Sequence, residues 1–425
     1  MKEIFKKIIV DSQERSYDNV VQRDYEIPLA TKKIVSLIGV RRSGKTYLLY
    51  ETIKKLREDI DKKNILYINF EDDRLFPIIL EDLDQLIEAY YELYPHKRDE
   101  RVYFFLDEVQ NIPDWELFVR RIHDTLNVAL YITGSSSKLL SSEIATSLRG
   151  RTIVYEIFPF SFKEYLQYKN IEINLYSSKS ISFIQNAFNS YLVNGGFAET
   201  FDESEDIQKR ILKDYMDLIV YKDVIERYNI KNHALLKHLI KYMFVNMGTL
   251  ISVSKLYNEY KSLGFKLSKD TLFEYISHLQ DAYAVFMPPI FRNSVKEEQR
   301  NPKKLYVIDN GFRKLFDASL SQDYSKLYEN LAFLHVRRKA AEVYYFKETK
   351  EIDIYVNIDG KKLLINVSYD IETSKTLKRE IEALVEGMEY FKIDESYLIT
   401  ANRDELLQVE DKKIIIIPLW KWLLL

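Results

Sequence analysis

The first third of the chain alternates short, predominantly apolar runs with longer stretches in which apolar residues recur at helical spacing. The apolar runs cover residues 34–38, 65–70, 102–106 and 128–133. Helical periodicity separates them, over residues 45–59, 80–93 and 115–126. Strands that are apolar on both faces and alternate with helices form parallel sheets covered on both sides. The pattern predicts a doubly wound α/β domain over residues 1–165.

The pattern changes after this first domain. Helical periodicity dominates from about residue 162 to residue 283, with an interruption at the Asn-Gly-Gly sequence of residues 194–196, and strands return from residue 284. We place boundaries near residues 165 and 300. The remaining domains are therefore a helical region at 166–300 and a second α/β domain at 301–425.

Composition narrows the class of protein. A chain of 425 residues is long enough for two or three domains with their own cores. Hydrophobic residues make up 46% and charged residues 30%, which is typical of a globular rather than a disordered protein. The formal net charge is −3, so any contact with nucleic acid has to come from a local basic patch.

The sequence argues against cysteine-based sites, histidine metal sites, a signal peptide and a membrane span. The chain has no cysteine, which rules out disulfides, thiolate zinc sites and cysteine nucleophiles, and its 6 histidines lack metal-ligand spacing. Residues 1–7 are too charged for a signal peptide. No apolar run approaches the ~18 residues of a membrane span. We expect a cytoplasmic protein with no membrane partner.

A complete phosphate-binding motif joins the first predicted strand to the first predicted helix. It fits G-x-x-x-x-G-K-[ST] and consists of Gly39, Val40, Arg41, Arg42, Ser43, Gly44, Lys45 and Thr46. Its glycines let the backbone wrap a phosphate, and the helix N-terminus supplies positive potential. We expect Lys45 to reach the β- and γ-phosphates and Thr46 to be a Mg²⁺ ligand. Arg41 and Arg42 contact either phosphate or acidic neighbours.

Two carboxylates follow the third apolar strand. Asp107 and Glu108 emerge at its C-terminal end, where ligands bind in open α/β sheets. We expect Asp107 to hold Mg²⁺ through water, and Glu108 to orient and deprotonate an attacking water. The alternative is a pair of solvated loop acids. The glutamate favours a hydrolase over a kinase or a protein that only binds nucleotide.

Polar and basic residues follow the fourth strand. Thr133 or Ser135 could contact a γ-phosphate, although a turn that caps the next helix is equally compatible with the sequence. Arg149 and Arg151 come next, and an arginine supplied to a neighbouring γ-phosphate stabilises the charge of the transition state. A surface salt bridge is the other interpretation of each arginine.

Together these motifs resemble the archaeal and bacterial AAA+-type ATPases that carry a C-terminal domain of uncharacterised function. The similar segments are VRRSGKT at 40–46, LDEVQ at 106–110, TGSS at 133–136, LRGR at 148–151, FPFSF at 158–162, NGGFA at 194–198 and YKDVIER at 221–227. The resemblance implies ATP as the nucleotide, Arg149 or Arg151 as an arginine finger, and Ser135 or Thr133 as a sensor. Proteins of the AAA+ type commonly form rings, so a homo-oligomer is an open possibility.

The middle of the chain looks like a winged helix, as in the same family. Residues 234–247, 252–263 and 268–282 show helical patterns, and a strand and a polar turn follow them. The third helix has a capping-box pattern at Thr271 and Glu274. Its charge is nearly neutral, whereas the turn is basic, with Arg292, Lys296, Arg300, Lys303 and Lys304. Contact with DNA and a role in packing or oligomerisation are both open.

Residues 327–367 resemble the restriction-endonuclease-like fold. Asp353 stands at the first acid of that fold's site, but Asn366 and Ser368 stand where an acid and a lysine are expected. The site therefore lacks a charged metal ligand and the amine that assists hydrolysis. The resemblance predicts an α/β domain with a degenerate nuclease site that binds without cutting.

These observations predict a Mg²⁺-dependent ATPase of the AAA+ type. It would couple hydrolysis to a conformational change that acts on DNA or on a protein partner. Two alternatives remain open. An ATP-dependent nuclease would require a working site around Asp353, and a nucleotide-gated signalling switch would use ATP occupancy rather than turnover.

Overall fold

Two large sheets, of five and six strands, organise the described part of the chain, and each lies in its own compact unit. The computed structural model describes residues 1–18, 20–135, 148, 150–316 and 323–425. Met1–Phe158 form the first unit and Pro159–Leu425 the second. The division into three domains with boundaries near 165 and 300 stays a prediction.

The sheet of the first unit is entirely parallel. Its strands are β1 (Ile34–Ile38), β2 (Ile65–Asn69), β3 (Val102–Asp107), β4 (Val128–Gly134) and β5 (Thr152–Glu156). They are hydrogen-bonded in the order β2-β3-β4-β1-β5. The C-terminal ends of all five strands therefore meet at one edge of the sheet, and the ends of β1, β4 and β3 are neighbours there.

Helices cover both faces of this sheet. They are α1 (Lys2–Glu14), α2 (Lys45–Leu56), α3 (Asp82–Leu93) and α4 (Trp115–Thr125), with 3₁₀ turns at Lys62–Asn64, Asp73–Leu75, Pro95–Arg98 and Val109–Asn111. Successive strand residues point to opposite faces. Leu66 and Ile68 join a core with α1, α3 and α4, whereas Ile65 and Tyr67 join a core with α2. The predicted α/β fold class is confirmed.

The second unit begins with helices. They are α5 (Phe162–Tyr168), α6 (Ser178–Asn194), α7 (Glu205–Leu218), a π-helix (Ile219–Glu226), α8 (His233–Val245), α9 (Val253–Ser262) and α10 (Lys269–Asp281), with 3₁₀ turns at Ala198–Thr200 and Asn310–Leu315. Helix α6 ends where Gly195 takes a φ of 82°. The predicted capping box at Thr271 and Glu274 is wrong. Helix α10 begins earlier, and Ser268 caps it by accepting from the Thr271 N–H.

Two short antiparallel strand pairs accompany the helices α8 to α10, and the first of their strands lies between α8 and α9. Strand β6 (Leu250–Ile251) pairs with β8 (Lys303–Lys304), and β7 (Val285–Phe286) pairs with β9 (Tyr306–Val307). A short helix, α11 (Val295–Arg300), lies in the connection between β7 and β8. This element order is the one that a winged helix requires, and the winged-helix assignment stays a prediction.

The last part of the chain forms a mixed sheet. Its strands are β10 (Val343–Lys347), β11 (Glu351–Ile358), β12 (Lys361–Val367), β13 (Glu395–Thr400), β14 (Glu405–Val409) and β15 (Lys412–Pro418), in the order β10-β11-β12-β13-β15-β14. The helices are α12 (Tyr324–Arg337), α13 (Ser374–Phe391) and α14 (Leu419–Trp422). Leu384 and Met388 of α13 pack on one face of this sheet. Within the described ranges, none of the helices has the length and apolar character needed to span a membrane.

Candidate nucleotide site

The phosphate-binding loop needs its two glycines for steric reasons. Gly39 has a φ of 146° and Gly44 a φ of 94°, both in the region that favours glycine. A Cβ atom on Gly39 would lie 2.1 Å from the carbonyl oxygen of Ile157. A Cβ atom on Gly44 would lie 2.7 Å from Nη1 of Arg23. Any other residue would strain the backbone at both positions, and at Gly39 it would also clash with the main chain.

Two polar side chains of the loop fit a phosphate group. The Nζ atom of Lys45 donates to the carbonyl oxygens of Gly39 at 3.1 Å and Val40 at 3.0 Å. The Oγ atom of Ser43 is buried and has no hydrogen-bond partner among the described residues. A buried hydroxyl without a partner is costly. A phosphate oxygen would give both groups a charged acceptor.

Arg23 supports the loop from outside the motif. Its guanidinium is buried and donates to the carbonyl oxygens of Ser43 and Phe158, each at 2.9 Å. Its backbone N–H donates to Glu51 of helix α2 at 3.0 Å. Sequence reasoning missed this residue because a single arginine in an extended segment has no motif spacing.

Asp107 lies at the centre of the site and is fully buried. Its Oδ2 atom accepts from the hydroxyls of Thr46 at 2.8 Å and Tyr67 at 2.9 Å, and its Oδ1 atom accepts from Thr133. Burial and the adjacent charge of Glu108 raise the pKa of Asp107 to about 6, while the three hydroxyls oppose that rise. Thr46 and Asp107 therefore lie side by side, and their oxygens suit Mg²⁺.

Glu108 is held in an unusual backbone conformation beside Asp107. Its φ of 55° is left-handed, which is uncommon for a residue with a side chain. Its N–H donates to Thr133 Oγ1 at 2.8 Å, and the amide of Gln110 donates to its carboxylate. Only 9% of Glu108 is exposed. This burial excludes the alternative of solvated loop acids.

Thr133 and Ser135 stand close to the two carboxylates. Thr133 is the more directly involved, because its hydroxyl donates to Asp107 and accepts from the N–H of Glu108. The amide of Gln110 donates to Ser135 Oγ at 3.4 Å, and Ser135 is buried. The assignment of either residue as a sensor stays a prediction.

The arginines singled out from the sequence have different surroundings. Arg41 forms an ion pair with Glu71 at 3.1 Å, which matches the interpretation of an acidic neighbour. Arg151 forms two hydrogen bonds of 3.0 Å with the carboxylate of Asp124, on the exposed surface of the same unit. Arg149 lies outside the described residues. An arginine-finger role for Arg149 or Arg151 stays a prediction.

A second charged cluster lies in the C-terminal sheet region. The ammonium of Lys304 is 2.5 Å from Asp353, 2.7 Å from Glu329 and 3.1 Å from Glu351, and only 3% of its side chain is exposed. The prediction that Lys304 is part of an exposed basic turn that contacts DNA is therefore wrong, because its charge is buried against three carboxylates. Lys303, the preceding residue, keeps part of its surface exposed.

The residues that correspond to the nuclease site surround this cluster. Asp353 Oδ2 accepts from the N–H of Val367 at 2.8 Å, and its own N–H donates to Asn366 at 3.1 Å. The amide of Asn366 donates to Glu380 at 2.8 Å. The hydroxyl of Ser368 donates instead to the carbonyl of Asp370 at 3.2 Å. Asp353 and Asn366 are thus neighbours, as expected for two adjacent strands, and Ser368 does not join them.

The fold and the site of the first unit define a P-loop NTPase of the AAA+ type. The family model described as an AAA domain matches residues 31–166, and a domain of unknown function (DUF8612) matches residues 185–322. An uncharacterized protein of Methanocaldococcus jannaschii, MJ1544, is 38% identical over 99% of this chain and 95% of its own length. An uncharacterized protein of Haemophilus influenzae is 30% identical over 91% of this chain and 93% of its own length. The chain belongs to the same family as these two proteins.

A solved structure shows a more distant similarity. The Orc1 protein of Aeropyrum pernix, in complex with DNA, is 15% identical and aligns over 78% of this chain and 92% of its own, with a TM-score of 0.31. Similarity at this level does not support a shared function. The AAA domain match and the geometry of the site carry the functional argument instead.

Proposed function

We propose that this protein is a Mg²⁺-dependent ATPase of the AAA+ type. The observation that carries the proposal is the buried junction of Thr46, Asp107 and Glu108 at the end of the phosphate-binding loop. A hydroxyl and a carboxylate suited to Mg²⁺ lie within 2.8 Å of each other there, next to a second carboxylate. The AAA domain match supports ATP as the nucleotide.

The residues of the loop would bind the phosphates. Lys45 would exchange its carbonyl acceptors for oxygens of the β- and γ-phosphates, which are charged and bind an ammonium more strongly. The backbone N–H groups at the start of helix α2 add positive potential. Bound Mg²⁺ would supply the charge that offsets the phosphate oxygens, with Thr46 and Asp107 as the residues that hold it.

Glu108 would act on the attacking water. Its carboxylate can accept a hydrogen bond from the water and then its proton. The amide of Gln110 orients this carboxylate, and Thr133 fixes the backbone of Glu108 while it donates to Asp107. Thr133 therefore links the metal-binding acid to the general base, so that the two groups keep their relative positions.

Steady-state hydrolysis by the full chain tests the proposal. We expect the wild type to hydrolyse ATP in Mg²⁺ and to stop when EDTA is added. We expect Lys45→Met to lose most of its affinity for ATP, because the main cation of the loop is gone. The matched control is Lys54→Met, because this lysine is exposed on the same helix and lies outside the motif. A wild type that binds neither ATP nor ADP in Mg²⁺ would overturn the proposal.

Besides the nucleotide, DNA is a candidate partner of this protein. Lys296 and Arg300 are exposed on the short helix α11, in the connection that would form the wing. Glu297 and Glu298 on the same helix reduce the local positive charge. A gel shift with duplex DNA over a salt titration tests this candidate. We expect binding at low salt that weakens steeply with salt, and a shallower salt slope for Lys296→Gln/Arg300→Gln. Absence of binding at low salt, or an affinity that does not change with salt concentration, would rule out DNA as a partner.

A further inference from the structure

A chain of hydrogen bonds leads from Asp107 to the outside of the first unit. Tyr67, on strand β2, donates to Asp107 Oδ2 at 2.9 Å. The hydroxyl of Tyr50, on helix α2, is 3.1 Å from the hydroxyl of Tyr67. The Nη1 atom of Arg15 donates to the hydroxyl of Tyr50 at 2.7 Å. None of these three residues belongs to the phosphate-binding motif or to the carboxylate pair.

The direction of every bond in this chain is fixed by the number of hydrogens available. A tyrosine hydroxyl has one hydrogen, a guanidinium can only donate and an ionised carboxylate can only accept. Tyr67 gives its hydrogen to Asp107, so it must accept from Tyr50. Tyr50 gives its hydrogen to Tyr67, so it must accept from Arg15. All three bonds therefore run inward and end on the carboxylate, an arrangement in which each bond strengthens the next.

The two tyrosines are held in place by ring packing as well as by hydrogen bonds. The ring of Tyr50 packs edge-on against the ring of Tyr67, with 5.3 Å between the centroids. The guanidinium of Arg15 lies 5.0 Å from the centre of the Tyr50 ring. Ring packing and hydrogen bonding thus favour the same positions for Arg15, Tyr50 and Tyr67.

The outer end of the chain opens into a cavity. This cavity has a volume of about 530 Å³, and Arg15, Tyr50 and Tyr67 all contribute to its walls. The remaining lining residues are polar or charged for the most part, and include Asn69 and Arg74. A positive charge at the solvent side is therefore connected through two hydroxyls to a fully buried acid.

We propose that Tyr67 and Tyr50 are positioning residues that hold the carboxylate of Asp107 in the orientation needed for Mg²⁺, with Arg15 as the cationic end of this hydrogen-bond series. This inference rests on the proposed function, because Asp107 has that task only if the site binds Mg²⁺ and nucleotide. Thr46 has to offer its oxygen to the metal while it donates to Asp107. Tyr67 supplies a donor to the same Oδ2 atom from strand β2, which is separate from the phosphate-binding loop.

The dependence of nucleotide binding on Mg²⁺ tests the inference without relying on turnover. The affinity for a fluorescent ATP analogue is measured in Tyr67→Phe and Tyr50→Phe as Mg²⁺ is titrated. We expect Tyr67→Phe to raise the half-saturating Mg²⁺ concentration by about tenfold or more, the effect of losing a hydrogen bond to a charged group. Tyr50→Phe should shift it in the same direction by less. Affinity in EDTA should be unchanged in both variants.

Tyr17→Phe is the matched control. The ring of Tyr17 packs against the ring of Tyr50. Its hydroxyl, however, donates to the carbonyl of Ser12 at 3.2 Å and takes no part in the hydrogen bonds that lead to Asp107. This variant should show the Mg²⁺ dependence of the wild type. If Tyr67→Phe is poorly folded by circular dichroism, Tyr50→Phe decides the question, since its hydroxyl is further from the core of the site.

The outcomes separate this inference from the proposed function. If the wild type binds Mg²⁺ and ATP and both variants show its Mg²⁺ dependence, the positioning role is wrong and the ATPase proposal stands. If the variants shift while Tyr17→Phe does not, the positioning role is supported. If the wild type binds no nucleotide in Mg²⁺, the ATPase proposal and this inference both fail.

Discussion

Glu108→Gln is expected to lower the steady-state rate of ATP hydrolysis by about 10²–10⁴-fold, the usual contribution of a general base. The amide has nearly the volume of the carboxylate, so the left-handed backbone at this position and the contact with Gln110 can persist. It cannot take the proton of the attacking water. ATP should still bind, because Lys45, Thr46 and Asp107 are unchanged. A hydrolysis assay and a binding titration on the same preparation measure both quantities.

Glu116→Gln is the matched control for this prediction. Glu116 lies in the first turn of helix α4 and takes no part in the hydrogen bonds described for Asp107 and Glu108, so its loss should leave the hydrolysis rate within about twofold of the wild type. A Glu108→Gln variant with wild-type turnover would show that another group activates the water. A wild type that binds ATP but is as inert as the variant would favour the nucleotide-gated switch.

The parallel sheet and the main site of the first unit could be predicted from the sequence because their signals are local. Apolar runs mark β1 to β4, and the loop between Gly39 and Thr46 has a fixed spacing. Helix α1 and strand β5 were not predicted. The partially exposed strand β5 has the burial pattern of an edge, with no uniformly apolar run to mark it.

The supporting residues of the site could not be found in the same way. Tyr67 reaches Asp107 because β2 pairs with β3 in the sheet, and strand order is a property of the whole fold. Arg23 reaches the phosphate-binding loop from a segment without regular structure. Neither contact follows from spacing along the chain, so each required the three-dimensional arrangement.

Lys304 shows how a local signal can mislead. Its neighbourhood in the sequence is basic, which suggested a surface that meets DNA. In the fold, β8 pairs with β6, and the side chain of Lys304 points toward helix α12 and strand β11. Burial opposes its charge, but Asp353 and Glu329 outweigh that effect and hold the pKa of Lys304 well above its ordinary value. The ammonium neutralises carboxylates that would otherwise repel one another.

This arrangement also bears on the nuclease alternative. The ammonium of Lys304 contacts Asp353, which corresponds to an acidic metal ligand in the nuclease fold. A cation is thus already present against that acid, and the second acid is replaced by Asn366. Both features argue for a domain that binds without cutting. Metal-dependent DNA cleavage by the wild type that disappears in Asp353→Ala would support the nuclease instead.

Lys304→Met is expected to lower the free energy of unfolding of the second unit by about 3–5 kcal/mol, the usual cost of removing one partner from a buried ion pair. Methionine has a similar length, so the loss is mainly one of charge. Urea denaturation at neutral pH measures it. Lys303→Met is the control, because this partly exposed neighbour is not bound to the three carboxylates, and its effect should stay within about 0.5 kcal/mol. Equal stability of the two variants would show that Lys304 does not hold the cluster together.

The pH dependence of the Lys304→Met variant separates loss of charge from loss of packing. Burial already raises the pKa of Glu329 to about 7 in the wild type. For an acid whose pKa is raised in the folded state, the stabilising effect of protonation is present at low pH and is lost as the pH rises through that value. Removing the ammonium should raise the pKa further. The stability deficit of Lys304→Met should therefore shrink as the pH falls from about 8 to about 5. A deficit that stays constant over this range would assign the effect to packing.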